Sequence, residues 1–372
     1  MAIYKIFPTK DASIYSAYPN KNTGLDEILE SSTNVDLVGT PQTSRFLVQF
    51  SNDEITDIIN NKISGSTWQA NFRGFLAALE GLNLDTTLEL YPISGSWNMG
   101  TGKYLYNPEY VNGVSWTYRS YSGNNAWSTG SFSANVTASY STEVGGGTWY
   151  ISSSNATIIP IYGTQTFTYA DSGDINVNIT NMVKGWYSGS ITNDGLIVKQ
   201  ATEFVDSEDY QITMKFFSID THTIYPPQLE FKWRDYVWST GSSTLTIINT
   251  TPATLSVANN PGVFYSESIN KFRINARPTY PPRVFQTASI YTTNYYLPTS
   301  SYYAVKDLDT NEFVIDFDNQ YTQLSADSNS SYFTLYMNGL EPERYYKILI
   351  KTIIDGSTII FDDNYYFKIV NG

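Results

Sequence analysis

Cysteine is absent from this sequence of 372 residues. The chain therefore forms no disulfide, no zinc–thiolate site and no thiol nucleophile. Histidine is nearly absent too, since His222 is the one imidazole. A Ser-His-acid triad would have to use His222, and a histidine-ligated metal would find no second imidazole. His222 stands between two threonines and shortly before a Pro-Pro pair, which indicates a surface loop at the end of a strand.

Charged residues are scarce, and most of them are acidic. They make up 15% of the chain, where soluble domains usually have about 25%. The formal net charge is −13 and no basic stripe occurs, so the sequence predicts binding neither to nucleic acid nor to an anionic membrane. No apolar run reaches the ~18 residues of a membrane-spanning helix, and the first residues show no signal-peptide pattern. We therefore expect synthesis in the cytoplasm without a signal peptide.

Aromatic residues are plentiful. The chain has 31 Tyr, 19 Phe and 8 Trp, together 16%, and such richness favours strands. Several runs alternate apolar with polar residues, as half-buried antiparallel strands do. In residues 45–50 the alternation directs one set of side chains towards the core: Phe46, Val48 and Phe50. The other set points away from the core: Arg45, Leu47 and Gln49. The sequence predicts a mainly β protein.

Helical patterns are few. Residues 52–63 place isoleucines on one helical face, with Ser51 or Asn52 as the N-cap. A short helical turn after Thr180, a second N-cap candidate, is also expected. Residues 71–80 fit a helix or a strand equally well. The helix content should therefore stay below about 12%.

The length suits two or three domains. Composition changes after Asp235, where a Ser/Gly-rich joint follows. We expect a first domain over residues 1–236, a linker or extra strand over residues 237–262, and a second domain over residues 263–372. The second has roughly seven short strands with frequent turns, which favours an immunoglobulin-like β-sandwich.

Five stretches occur in order along the first domain. They are Asp11–Gly24, Ser44–Phe50, the paired segments Ser94–Trp97 and Gly113–Trp116, Asn176–Val198, and Phe216–Ser218 with Pro226–Leu229. Together they resemble the disaggregatase-related (DNRLRE) β-sandwich family. The resemblance implies a jelly-roll-like sandwich related to carbohydrate-binding modules, of a kind found in surface proteins, polysaccharide-degrading enzymes and phage virions. Residues 91–103 are particularly similar to the versions in structural proteins of large phages, although long loop insertions and residues 52–80 depart from the shorter family members.

The second domain carries Leu340, Pro342 and Tyr346. Their spacing resembles the corner before a late strand in fibronectin type III domains. The resemblance implies that Leu340 enters the core and that Pro342 fixes the turn. It also implies that the Tyr346 hydroxyl donates a hydrogen bond to the backbone of the preceding connection.

Four tryptophans near the long Gly/Ser/Asn-rich stretches are the candidate site residues: Trp97, Trp116, Trp127 and Trp149. Their ring faces could stack on sugars, contact a neighbouring subunit or pack inside the domain. All three roles remain open from the sequence.

Carboxylates offer weaker candidates. Asp171, Asp174 and Asp194 could supply oxygen ligands to calcium, but their spacing matches no calcium-binding loop. The acidic cluster at residues 206–209 fits a solvated turn. The sequence therefore assigns no catalytic residue, no cofactor and no metal.

These observations predict a non-enzymatic structural protein of a tailed-phage virion, in its tail, neck, ring or capsid surface. A cell-surface type of sandwich without a secretion pattern fits a particle that lysis releases. The partners would be other virion proteins and copies of the chain itself in a symmetric assembly, with the tryptophan- and glycine-bearing loops as contact surface. The alternative is a glycan-binding adhesion or host-recognition module, and a polysaccharide-active enzyme is the third hypothesis.

Overall fold

The computed structural model describes residues 2–65, 67–81, 85–127, 137–139, 145–150, 161–203, 211–241, 246–250, 252–280 and 295–372. Over these residues strands account for 48% and helices for 6%. The mainly β fold and the low helix content predicted from the sequence are confirmed.

Short strands follow one another along the chain. Up to residue 233 they are β1 Ala2–Ile6, β2 Pro8–Tyr15, β3 Ile28–Val35, β4 Pro41–Phe50, β5 Trp68–Gly74, β6 Leu76–Glu80, β7 Thr86–Pro92, β8 Tyr118–Ser120, β9 Asn125–Ala126, β10 Thr137–Ser139, β11 Thr148–Tyr150, β12 Gly163–Phe167, β13 Ile175–Asn178, β14 Leu196–Gln200, β15 Ile212–Phe217 and β16 Gln228–Trp233. The strands after residue 233 are β17 Thr246–Ile247, β18 Ala253–Ala258, β19 Val263–Tyr265, β20 Ile269–Pro278, β21 Tyr295–Tyr296, β22 Ser301–Asp307, β23 Phe313–Ile315, β24 Ser325–Ala326, β25 Ser331–Tyr336, β26 Tyr345–Ile354 and β27 Ser357–Val370.

The described residues contain two α-helices, α1 Asn52–Asp57 and α2 Thr180–Ser188, and α1 continues as a π-helical turn over Ile58–Lys62. The Ser51 side chain accepts a hydrogen bond from the Glu54 N–H, so the predicted N-cap of α1 is confirmed. For α2 the predicted cap is wrong: Thr180 is already helical and Ile179 holds the cap position. Residues 71–80, which fitted either element, lie in the strands β5 and β6.

The chain folds into two compact units. The N unit comprises Ile6–Lys62 and Gln69–Glu230, and the C unit comprises Met1–Lys5, Ile63–Trp68 and Phe231–Gly372. The C unit thus gathers segments that are distant in sequence, whereas the N unit is interrupted only by residues 63–68.

The N unit is built on an eight-stranded antiparallel sheet in the order β12-β7-β14-β4-β3-β15-β6, with β2 also paired to β4. On one face Phe46 meets Phe216 of β15, with ring centroids 5.5 Å apart. On the other face Arg45 and Leu47 are fully buried. The prediction that these two residues face away from the core is wrong, because loops carrying tryptophans form a second apolar layer over that face.

The C unit contains two sheets that enclose one core. A six-stranded sheet has the order β17-β21-β20-β25-β24 with β18 on β20, and a five-stranded sheet has the order β19-β27-β26-β22-β23. The rings of Tyr303 in β22 and Phe333 in β25 stack between them at 4.2 Å. Residues 237–262, expected as a linker or an extra strand, contain β17 and β18, and β18 pairs with β20 over six residues.

The corner expected around Tyr346 is present in the C unit. The Tyr346 hydroxyl donates to the carbonyl of Glu341 at 3.1 Å. Leu340 and Tyr346 are buried in the core. Pro342 stands in the turn between them, before Glu343 with its φ of 63°. The hydrogen bond fixes the chain direction into β26.

Candidate functional site

All four candidate tryptophans lie inside the N unit. They are 2–5% exposed and pack against apolar residues of β2, β4, β7 and β14 and of the loops: Trp97, Trp116, Trp127 and Trp149. The Trp97 indole N–H donates to the carbonyl of Asp194 at 2.8 Å. None of the four presents a ring face to a sugar or to a neighbouring subunit. Of the three roles considered from the sequence, the structure has the packing role.

A buried ion pair joins this loop layer to the sheet. Arg45 donates two hydrogen bonds to the Glu203 carboxylate, at 2.8 and 3.0 Å, and a third to the carbonyl of Gly146. Its guanidinium lies 4.7 Å from the ring centre of Trp116 and 5.5 Å from that of Trp149. A Cβ at Gly146 would collide with both Arg45 and Trp116, so this close approach requires glycine. The two charges thus satisfy each other in the interior, and the hydrogen bond to Gly146 connects the loop to β4.

One amide side chain fixes the long loop that follows Trp97. Asn22 is fully buried, and its Nδ2 donates to the carbonyls of Met99 and Val114 at 2.7 and 2.8 Å. Its Oδ1 accepts from the N–H of Gly102 at 2.8 Å. Glycines at positions 100, 102 and 113 surround the amide, and a Cβ on any of them would collide with Asn22 or adjacent backbone. The inner side of the loop is therefore held in one conformation.

The outer side of the same loop carries exposed aromatic rings. We call this region the tyrosine surface and define it by Tyr18, Tyr104, Leu105, Tyr106 and Tyr110. The rings of Tyr18 and Tyr104 lie 5.8 Å apart, and those of Tyr106 and Tyr110 lie 5.7 Å apart. Leu105 is 89% exposed, and Tyr106 and Tyr110 are also exposed. Large apolar groups thus face solvent on a rigid support.

Lys21 lies beneath the rings of Tyr18 and Tyr104. Its ammonium lies 4.1 Å from the ring centre of Tyr18 and 4.8 Å from that of Tyr104. It also lies 3.5 Å from the carboxylate of Glu109. Burial raises the pKa of Tyr104 to about 12, further above neutral pH than the ordinary tyrosine value. The surface therefore combines ring faces, hydroxyl groups and one carboxylate around a largely buried cation.

The acidic candidates do not converge on a metal. Asp171 accepts a hydrogen bond from the Thr168 N–H of its own turn at 2.8 Å. Asp174 and Asp194 accept from the N–H groups of Leu76 and Gly95, at 2.9 and 3.1 Å. Within the described residues, no three His, Asp or Glu side chains lie close enough together to hold an ion. The acidic cluster at residues 206–209 lies outside the described part of the chain.

Two further sequence predictions concern the surface. The His222 side chain is 90% exposed, with Nε2 3.9 Å from the Glu27 carboxylate, so of the structural and exposed roles expected for it the exposed one is present. Among the helices of the described residues, none is long and apolar enough to cross a bilayer.

Comparison with known proteins finds little likeness. No protein-family profile matches the chain, and no curated protein matches it. Among solved structures, a DUF4785 family protein from Legionella pneumophila is similar at 9% sequence identity and a TM-score of 0.21. The match covers 98% of this chain and 66% of that chain. A likeness this weak carries no argument about fold or function.

The sequence predicts the four tryptophans as candidate contact residues and does not predict the tyrosine surface. A usable signal is present, because residues 104–110 place three tyrosines and one leucine within seven positions of a loop. Tyrosine keeps a polar hydroxyl and is common at contact surfaces. Tryptophan is common there too, so residue type alone does not separate the buried rings of this unit from the exposed ones.

Proposed function

We propose that this chain is a non-catalytic structural protein of a tailed-phage particle that contacts a neighbouring virion protein through the tyrosine surface. The observation that carries the proposal is the exposure of Leu105, Tyr106 and Tyr110 on a loop that Asn22 holds from within. The virion setting follows the sequence resemblance, and the contact surface follows the geometry.

The exposed groups suit a protein interface better than solvent. Removing one apolar side chain such as Leu105 from water contributes roughly 1.5–3 kcal/mol. Tyrosine adds a large rigid contact area together with a hydroxyl that can be satisfied across an interface. Because the loop is ordered before a partner arrives, little conformational entropy is lost on binding.

The position of the phage-like segment supports the virion setting. Residues 91–103, which resemble the versions in structural proteins of large phages, lead directly into residues 104–110. The loop that carries the resemblance is thus the loop that carries the tyrosine surface. A charged fraction of 15% leaves few groups to desolvate when such a surface is covered.

Mass spectrometry of purified virions tests the setting. We expect peptides of this chain at a fixed copy number that matches a symmetric multiple of the particle. Absence of the chain from the particle would overturn the proposal.

Capture of virion proteins by the purified full-length chain tests the surface. Leu105→Ser with Tyr106→Ser should abolish capture. The control, Leu37→Ser with Val38→Ser, removes two strongly exposed apolar residues from a hairpin of the same unit and should leave capture intact. Equal losses in both variants would argue against a specific tyrosine surface.

Glycan binding is the second candidate, because the rings of Tyr106 and Tyr110 are exposed and 5.7 Å apart, and the polar residues Asn107 and Glu109 stand between them in the sequence. Ring faces bordered by polar groups are suited to pyranose recognition. A glycan array probed with the wild type and with Tyr110→Ala separates the two functions. Binding of a defined glycan that the variant loses, without capture of any virion protein, would favour the glycan-binding module.

A further inference from the structure

One face of the five-stranded sheet in the C unit carries lysines. Tyr346, Ile348 and Ile350 of β26 belong to the core, as do the residues next to the lysines on β22 and β27. Strand alternation therefore turns the lysines to the opposite face. We call it the lysine face and define it by Lys306, Lys347, Lys351 and Lys368.

The strand register brings two of these lysines together. Lys306 of β22 is directly opposite Lys347 of β26. Like charges in that position repel each other, so the pair is unfavourable within the isolated sheet. On the next strand Tyr366 is opposite Lys347, and Lys368 is opposite Tyr345. Positive charges and aromatic rings thus lie side by side across β22, β26 and β27.

Two of the ammonium groups contact rings instead of carboxylates. Lys306 lies 5.3 Å from one phenylalanine ring centre, and Lys351 lies 4.7 Å from another. Neither is paired with a carboxylate among the residues that the structure describes. The other two lysines pair with the carboxylates of Asp362 and Glu343, which are more than half exposed. The face therefore offers positive charge that an anionic partner can neutralise.

Large apolar side chains surround the lysines. The exposed ones are Phe313, Tyr345, Ile353, Ile360 and Tyr366. Apolar and aromatic groups at this density are typical of a surface that another protein covers. A free polyanion would use the lysines but would leave the isoleucines in water.

The charge of the chain is divided unevenly between the units. The N unit has 10 Lys and Arg against 22 Asp and Glu, a net charge of −12, and the C unit has 12 against 13, a net charge of −1. Almost the whole net negative charge of the chain is thus on the N unit. Complementary potentials steer protein surfaces together and fix their orientation.

We propose that the lysine face of one copy docks on the acidic N unit of a second copy of this chain. Such a contact joins two different surfaces, so it repeats from copy to copy and closes into a ring where the rotation allows. The inference rests on the proposed role in an assembly, but it uses the lysine face of the C unit, which is separate from the tyrosine surface of the N unit.

Sedimentation equilibrium of the full-length chain tests the proposal. The mass of one chain is 41.9 kDa, and we expect the weight-average mass to rise above it with concentration at low salt. Raising the salt from ~0.05 to ~0.5 M should weaken association at least tenfold, because screening shortens the reach of charges. A concentration-independent monomer at low salt would overturn the inference.

Charge reversal identifies the surface. Lys306→Glu with Lys351→Glu should weaken association by at least about tenfold. The control is Lys271→Glu, which changes a lysine of the other sheet that also lies over a ring, 3.6 Å from the centre of Tyr332. Thermal melting by circular dichroism checks folding, and the corresponding Lys→Gln pair replaces the Glu pair if the latter unfolds. Equal weakening in the control would overturn the assignment to the lysine face.

Zero-length amine–carboxyl crosslinking of a mixture of isotope-labelled and unlabelled chains identifies the second copy. Mixed-isotope crosslinks from Lys306 or Lys351 to carboxylates of the N unit are expected. Crosslinks confined to single chains, or binding of heparin or DNA by the lysine face without self-association, would overturn the inference.

The tyrosine surface separates this inference from the proposed function. The variant Leu105→Ser with Tyr106→Ser should self-associate as the wild type does while losing capture of virion proteins. If it loses self-association and the lysine variants keep it, the inference fails and the proposed contact surface stands. If the lysine variants alone lose self-association but no virion protein is captured, the inference stands and the proposed function fails.

Discussion

A carboxyl group lies in the interior of the N unit at Asp11. The side chain is 1% exposed, and burial raises its pKa to about 8, although the Ile219 N–H donates to it at 2.7 Å. The negative charge of Asp220 acts in the same direction as burial. Since the folded state then holds this proton more tightly than the unfolded state, the free energy of unfolding falls as pH rises from about 3.9 towards the folded pKa.

Replacing Asp11 with Asn should remove this pH dependence. The amide keeps an oxygen for the Ile219 N–H and cannot ionise. We expect equal stability of variant and wild type near pH 4, and a variant more stable by roughly 2–5 kcal/mol near pH 8. Urea unfolding at several pH values measures the difference. A difference that stays constant over this range would show that Asp11 does not titrate on unfolding.

The hydroxyl of Tyr346 makes a single definable contribution to the C unit. Tyr346→Phe removes the hydrogen bond to the Glu341 carbonyl. The ring remains stacked on that of Phe367, with the two ring centroids 5.6 Å apart. The free energy of unfolding should fall by roughly 0.5–1.5 kcal/mol. Tyr345→Phe alters an exposed neighbour and should change it much less. If both variants lose the same amount in urea titrations of the full chain, the corner contributes nothing specific.

The conformation of the loop beneath the tyrosine surface depends on the hydrogen bonds of the Asn22 side chain to the loop backbone. Asn22→Ala leaves the carbonyls of Met99 and Val114 and the N–H of Gly102 without their partner. The loss should be roughly 1–3 kcal/mol for each group that water cannot reach. Hydrogen exchange over residues 98–114 should accelerate, because local opening then costs less free energy.

Asn112 supplies the matched control for this loop. It is half-buried; its Nδ2 donates to the Thr101 hydroxyl at 2.6 Å, and its Oδ1 accepts from the Thr101 N–H at 3.1 Å. Asn112→Ala should therefore accelerate exchange at Thr101 but leave exchange at Gly102 almost unchanged. Equal acceleration in the two variants would show that the loop responds to any lost amide. In that case Asn22 would have no special role.

The same elements show which features the sequence could reveal. The Tyr346 corner and the Ser51 cap were predictable, because each depends on a few residues close together in the chain. The burial of Arg45 was not, because its partner Glu203 is 158 positions away and its cover comes from loops. Alternation within one strand reports a polar residue but not whether a distant segment covers it. The tyrosine surface was missed for the converse reason, since residue type alone does not reveal which side of a loop faces solvent.

At the scale of the whole molecule, the compact units do not follow chain order. Ile3 belongs to the core of the C unit, although it stands at the beginning of the sequence. Tyr4 packs edge-on against Tyr336 at 5.6 Å, and Trp233 does so at 5.3 Å, all three within the C unit. The C unit therefore needs both ends of the chain to complete its core.

A fragment of residues 263–372, the second domain expected from the sequence, should consequently fold poorly on its own. It lacks three buried core residues, Ile3, Ile248 and Leu255. Burial of three such side chains contributes roughly 5–9 kcal/mol, which is comparable to the 5–15 kcal/mol that stabilises a whole domain.

A fragment with residues 1–5 joined through a Gly/Ser linker to residues 231–372 restores all three, and it also restores Tyr4 and Trp233. Near-ultraviolet circular dichroism and urea unfolding should show a cooperative transition for the linked fragment and a weak or absent one for residues 263–372. If residues 263–372 alone unfold cooperatively at the same urea concentration as the linked fragment, the N-terminal strand and β18 are dispensable, and the second sandwich is an autonomous domain with the boundaries that composition alone predicts.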